Sequence, residues 1–213
     1  MSVLGILALT AYQQKNYAQT VTYANQSLAL ARSLENKELE WQMLTLLGNA
    51  YYDQADYLKA VEIFRQAALF REHLGASAAN LGRASLAVGG FLGAIEQSEY
   101  ALGSGDPRTR AMALNTLATT TRLLGQNAKS LDYAQQALTT SQEVQENSLI
   151  QQAFLNLAES HQALDIPTKA LDYAAQGLSL AQQLGDRGGE ARARNTQGSI
   201  LNEQADYPGA IAA

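Results

Sequence analysis

A small residue returns along this chain at intervals of 40, 34, 36, 40 and 40: Ala8, Gly48, Gly82, Ala118, Ala158 and Gly198. Leu precedes five of them (Leu7, Leu47, Leu81, Leu117, Leu157), and Gln197 precedes the sixth. Twelve residues beyond each comes a second small position: Thr20, Ala60, Ala94, Ser130, Ala170 and Ala210. Longer stretches share the frame. LGNAYYDQADYLKA (47–60) aligns with QGSILNEQADYPGA (197–210), LDYAQQAL (131–138) returns as LDYAAQGL (171–178), and VTYANQSL (21–28) holds the same place earlier. Periods of this length identify stacked supersecondary units, none of which buries its apolar face alone.

Helical periodicity fills the frame. In the second copy a first helix, A, carries Leu44, Leu47, Gly48 and Tyr51 at i, i+3, i+4 and i+7. A second, B, carries Ala60, Val61, Phe64, Ala67 and Ala68 on one face. Small residues on both helices allow close backbone approach, and larger ones fill the flanks. Gly48 lowers helix propensity by roughly 1 kcal/mol relative to Ala, which a tight crossing offsets. Tyr17, Tyr57 and Tyr207 are expected to pack at the A–B turns. Tyr12 and Tyr52 lie off the Leu-Leu-small face.

The second copy resembles a tetratricopeptide repeat (TPR). The W-x2-L-G-x2-Y…A-x3-F…P pattern finds Leu47, Gly48, Tyr51, Ala60 and Phe64, with Leu44 at the Trp position and Trp41 one turn earlier. In the fifth copy Ala170 is followed by Ala174 instead of Phe; Tyr23, Tyr133 and Tyr173, one residue earlier in helix B, supply the bulk. The resemblance covers essentially the whole chain and is nearest to a bacterial type with mostly 40-residue repeats and a longer helix B. It implies an all-α fold, a right-handed α-solenoid of stacked antiparallel helix pairs. The expected organisation is one array over 1–213, with repeats at about 1–40, 41–74, 75–110, 111–150, 151–190 and an incomplete 191–213. GSGDP at 103–107 marks a loop and a change of pitch. The half-unit DYPGAIAA at the end points to a longer array.

Composition narrows the function. With 15 Lys and Arg against 20 Asp and Glu, the net charge is −5. A basic face for nucleic acid or anionic membrane is therefore not expected, although Arg108, Arg110, Arg122, Arg192 and Arg194 gather in the later half. No apolar run is long enough for a membrane span. There is no cysteine, which excludes disulfides and thiolate ligands and fits the cytoplasm. His73 and His161 have no metal-ligand spacing and read as packing residues with one polar contact each. VGGFLGA, GSGDP and GDRGGE lack the phosphate-loop lysine and follow no strand. Glu35, Glu38, Glu143 and Glu146 read as solvated helix ends. No catalytic residue, metal or cofactor is expected.

Stacked helical hairpins leave one face of each helix A unpaired. In the second copy that stripe is Gln42, Thr45, Asn49 and Tyr52, bordered by Asp53; projected onward it becomes Asn115, Thr119 and Arg122, then Gln152, Glu159 and Gln162, then Arg192, Asn195, Ser199 and Asn202. Amides and hydroxyls of this kind pair with the backbone of an extended peptide or partner helix. The resemblance implies a non-catalytic scaffold that binds a protein or peptide in a concave groove. The alternative is the sensing or recruiting region of a larger bacterial regulator, such as a CHAT-type protease or a signal-transducing ATPase. Thr45 stands where a chaperone-tail clamp wants Lys, and Arg83 is the one cation of the first three stripes. Self-association through the array ends is a further expectation.

Overall fold

A computed structural model describes residues 2–205, 209 and 211. The described residues form eleven α-helices and a 3-10 turn at Arg71–His73: α1 (Val3–Gln13), α2 (Tyr17–Ser33), α3 (Lys37–Asp53), α4 (Tyr57–Ala67), α5 (Leu74–Ala87), α6 (Phe91–Leu102), α7 (Pro107–Leu123), α8 (Asn127–Glu143), α9 (Asn147–Ala163), α10 (Pro167–Leu184) and α11 (Arg187–Glu203). Odd-numbered helices are A helices and even-numbered ones B helices of an all-α solenoid. The chain divides into two compact units, Met1–Ala101 and Leu102–Ala213. Where the sequence spacing is 40, helix B is long, with 17, 17 and 18 residues in α2, α8 and α10; α4 and α6 have 11 and 12.

One turn design recurs. After α1, the Lys15 N–H donates to the Tyr12 carbonyl and the Asn16 N–H to the Ala11 carbonyl, both at 2.9 Å. This is a Schellman closure, and it satisfies carbonyls that the helix end would otherwise orphan. Asn16 then opens α2, its side chain accepting the Gln19 N–H at 3.2 Å. Asp56 plays both parts between α3 and α4, as Asn36 and Asp186 do at A-helix starts. The residue before Asn16, Asn36, Asp56, Gln126, Glu146, Ile166 and Asp186 is left-handed, and five of these are not glycine: Lys15, Glu35, Ala55, Gln145 and Asp165, at φ 52–59°. Caps at Asn36, Asp106 and Asp186 also explain why α3, α7 and α11 begin four residues ahead of Trp41, Ala111 and Ala191.

The crossings carry the core. A Cβ at Gly48 would stand 2.4 Å from Cε1 of Phe64, a side chain with no exposed surface. The corresponding pairs are Ala8 with Ala24, Gly82 with Ser98, Ala118 with Ala134 and Ala158 with Ala174, all buried. Phe fits where its counterpart has no Cβ; an Ala on one helix faces an Ala on the other. In the later unit Ser130 adds a polar joint. Its hydroxyl donates to the Ala118 carbonyl at 2.8 Å and lies 2.6 Å from Ser160 Oγ, tying α8 to both α7 and α9. Leu47, Leu81, Leu117 and Leu157 are buried as their position requires, whereas Leu7 is 42% exposed on α1. Tyr207 and Ala210 lie outside the described residues.

Three substitutions test this geometry. Gly48→Leu should destabilise the protein by about 2–3 kcal/mol through overpacking against Phe64. Gly105→Ala, where nothing lies within 4 Å of the added carbon, should stay within about 0.5 kcal/mol. Ala55→Gly should stabilise by up to about 1 kcal/mol, since glycine relieves the left-handed strain and returns part of the gain as chain entropy. Urea denaturation of the three variants against wild type measures all of these.

Candidate functional site

In the first unit the expected stripe on α3 is tied to its neighbouring A helices. The Tyr12 hydroxyl on α1 donates to Asp53 Oδ2 on α3 at 2.6 Å. Burial and then this bond push the Tyr12 phenol well above its usual range. Asn49 Oδ1 accepts from Arg83 Nη2 on α5 at 3.0 Å, and the same guanidinium sits 4.1 Å from the Tyr52 ring centroid. Tyr52 meets Tyr57 edge-on at 5.1 Å, and Tyr12 meets Tyr17 at 6.0 Å, so turn tyrosines and stripe tyrosines form pairs. Gln42 donates to Glu38 at 2.7 Å. The other Glu38 oxygen lies 2.7 Å from His73 Nε2, and the His73 ring stacks on Trp41 at 3.7 Å. Those bonds from His73 and Gln42 hold the Glu38 carboxyl low. Thr45 stands apart: its Oγ1 is buried without a hydrogen-bond partner.

The second unit holds a denser network over α7, α9 and α11. Glu159 lies between two guanidiniums, with Arg122 Nη2 at 2.8 Å and Arg192 Nε at 2.8 Å. Burial pushes its carboxyl up, but the Arg192 hydrogen bond and the two positive charges outweigh that and leave it below the usual range. Arg192 reaches on to Asn156 Oδ1 at 3.0 Å, which the Thr119 hydroxyl also approaches at 3.0 Å. Asn156 Nδ2 donates to Asn115 Oδ1 at 2.9 Å, and Asn115 Nδ2 donates to the Leu149 carbonyl at 3.3 Å. Gln162 donates to Ser199 Oγ and Glu203 Oε1, each at 2.8 Å. Gln152 is half-buried; Asn195 and Asn202 are exposed.

Neighbouring A helices thus share the stripe residues. Asn115 is 4% exposed, so its role is internal; its amide links α7 to α9. Asn156, 2% exposed, is the hub that sequence reasoning missed, hidden between Leu155 and Leu157. A signal was present: bonded partners lie 33–41 residues apart, one repeat plus or minus a helical turn. The acidic helix ends are also more than solvated, since Glu146 receives both Nε and Nη2 of Arg108 at 2.6 and 3.0 Å. His161 is buried and stacks on Tyr173 at 5.5 Å with its Nδ1 unpartnered, in place of the polar contact expected of it. Among the described residues no cluster of three or more histidines and carboxylates is arranged to hold a metal, and no helix is long and apolar enough to cross a membrane.

Residues 42–77 and 110–144 match the model of a tetratricopeptide repeat family. No curated protein matches the sequence. Among solved structures, BtubC (BKLC) from P. vanneervenii is 18% identical with a TM-score of 0.70, covering 92% of this chain and 87% of its own. The APC/C hetero-tetramer Cut9–Hcn1 is 18% identical with a TM-score of 0.80, covering 97% of this chain and 37% of that one. The Rap protein complexed with competence and sporulation factor is 16% identical with a TM-score of 0.63, covering 96% and 64%. These likenesses show the fold, and the repeat frame, the Gly48–Phe64 crossing and the family match agree: the chain carries tetratricopeptide repeats in an all-α solenoid.

Proposed function

We propose that the chain is a non-catalytic interaction scaffold whose A-helix stripes bind an extended protein or peptide segment. The observation that carries this reading is the cross-helix locking of the stripe. Arg122, Glu159, Arg192, Thr119 and Asn156 in one unit, and Asn49, Tyr52 and Arg83 in the other, are held by one another before any partner arrives. Side chains already ordered lose less entropy on binding, so more of each contact remains as affinity. Asn49 is bonded through Oδ1 and keeps Nδ2 as a donor at the half-buried surface. Such a donor recognises a peptide carbonyl without regard to sequence.

Charge favours a protein ligand over nucleic acid. Four of the later arginines are in ion pairs: Arg108 with Glu146, Arg122 and Arg192 with Glu159, and Arg194 with Glu190. Paired guanidiniums on a chain of net charge −5 give little of the open basic field that counterion release requires. The fold alone supplies the analogy with partner-bound relatives, such as the Rap protein solved with competence and sporulation factor.

Two measurements test the reading. Partners retained from cell extract by the full-length protein are purified and titrated against wild type and the Asn49, Tyr52 and Arg122 triple alanine variant. At least a tenfold loss is expected, read at a temperature where both proteins are fully folded, because removing Arg122 also unpairs Glu159 and lowers the melting temperature; equal binding would reject the stripe as the contact face. The second concerns pH. The folded-state pKa of Glu159 is depressed, so its contribution to stability is present above the unfolded value of about 4.3 and is lost as pH falls through the folded value. Glu159→Gln should therefore lower stability at pH 7 by about 1–3 kcal/mol and flatten the decline between about pH 5 and 3. Parallel acid profiles for variant and wild type would show that the carboxylate does not organise the network.

A further inference from the structure

One cleft of the first unit differs in kind from the polar stripe around it. It lies between α1 and α3, is about 230 Å³ in volume, and is lined mainly by Leu9, Trp41, Met43, Leu46 and Thr45, with Gly5 on the α1 side. No charged residue lines it. Gln42 and Asn49 complete the wall. Both amides are held from outside, by Glu38 and Arg83 respectively.

Thr45 is the odd residue in this lining. Thr10, Thr20, Thr22, Thr116, Thr119, Thr120, Thr121, Thr139 and Thr196 all donate their hydroxyls to the carbonyl four residues back. This is the ordinary way for a helical threonine to satisfy itself. Thr45 Oγ1 is buried with no partner at all. Size and wall chemistry bound the occupant. The volume is below the ~300–1,000 Å³ of sites that enclose a whole small molecule. It exceeds the ~150 Å³ in which an apolar cavity holds a benzene ring. Apolar walls without a charge reject an acidic or basic group, because burying it there would leave it unpaired.

The flanking amides set the frame of what enters. Gln42 and Asn49 are seven residues apart on one helix, about 10.5 Å along its axis. An extended chain covers that distance in about three residues. Gln42 keeps its side-chain carbonyl and Asn49 its Nδ2 for a backbone N–H and C=O on either side of a central residue. Met43 adds an adaptable surface at the cleft wall.

We infer that this cleft is an anchor pocket for one bulky aliphatic or aromatic side chain of an extended peptide, with Gln42 and Asn49 gripping the backbone beside it. The inference rests on the interaction-scaffold reading and names what that face selects in the first unit. It assigns specificity to the apolar floor and leaves the polar stripe to bind the main chain of the ligand.

The chain supplies its own reporter, because Trp41 is the single tryptophan and lines the cleft. A tryptophan-free random-peptide library is selected on the full-length protein, and enriched peptides are titrated by Trp41 emission and by calorimetry. Enriched peptides should share a Leu, Ile, Met or Phe at one position, and alanine there should weaken binding at least tenfold. Leu9→Asp, at a position already 37% exposed, should weaken binding at least tenfold while melting near wild type. Thr45→Val should fold at least as stably and bind as well or more tightly, since it removes an unpaired hydroxyl from an apolar wall. Peptides that bind with unchanged Trp41 emission and equal affinity for Leu9→Asp would overturn the pocket and leave the scaffold reading standing. A charged consensus, or binding lost in Thr45→Val, would likewise overturn the apolar anchor. Failure to enrich any binding peptide would count against both.

Discussion

The close approach of the two helices in each hairpin is the contact on which the rest of the structure depends. At Gly48 the approach is close enough that a single added carbon would enter the Phe64 ring. Hydrophobic burial alone is undirected and would hold helices together at many angles. The alternation of an absent or small side chain on one helix with a matching side chain on the other selects one crossing. Because dispersion and packing fall off steeply with distance, the flanking Leu44, Leu47 and Tyr51 reach their full contacts only at that crossing. The turn geometry serves the same end. A Schellman closure followed at once by a capping side chain, as at Asn16 and Asp56, leaves few ways to connect the two helices.

Once the hairpins stack, neighbouring A helices run side by side, and their outward side chains meet across the seam. That arrangement turns residues that are ordinary surface polars in one helix into members of a shared network. Glu159 illustrates the balance. Removing a carboxylate from water is unfavourable, and one arginine in partial solvent would compensate only modestly. Two guanidiniums from α7 and α11 together hold it ionised. The first unit reaches a similar end with softer means, through Arg83 against the Tyr52 face and the Asn49 amide. In both units the polar surface is organised by contacts between repeats; the hydrophobic core also runs from one repeat into the next, but the A–B crossing that sets its geometry lies within each repeat.

This division explains what was legible in the sequence. The crossing is a local matter of residues twelve to sixteen apart, and each copy states it anew, so Gly48, Ala60 and Phe64 could be assigned from the repeat frame. The helix starts were less visible, because Asn36, Asp106 and Asp186 cap helices four residues outside that frame. The stripe residues lie on the A helices, as the repeat frame requires, but their bonds to one another across copies were not legible. Asn115 and Glu159 read as solvent-facing groups because their partners lie in another copy. Asn156 was passed over because its neighbours are leucines. Thr45 was placed on the stripe and noted for lacking a positive charge, but nothing in one sequence reveals that a hydroxyl lacks its usual carbonyl.

The spacing of the polar partners has an evolutionary consequence. The hairpin joints are interchangeable in principle, because each of the five described hairpins presents a small residue and a fitting counterpart at the same two places. The ladder of Thr119, Asn156 and Arg192 is not, since each rung is completed by a residue from a different copy. Duplication or deletion of one repeat would preserve the joints and still break the rungs on both sides of the splice. Arrays of this kind can therefore change length without losing their fold, but each new length begins with polar seams broken at the splice, to be rebuilt by later point substitutions.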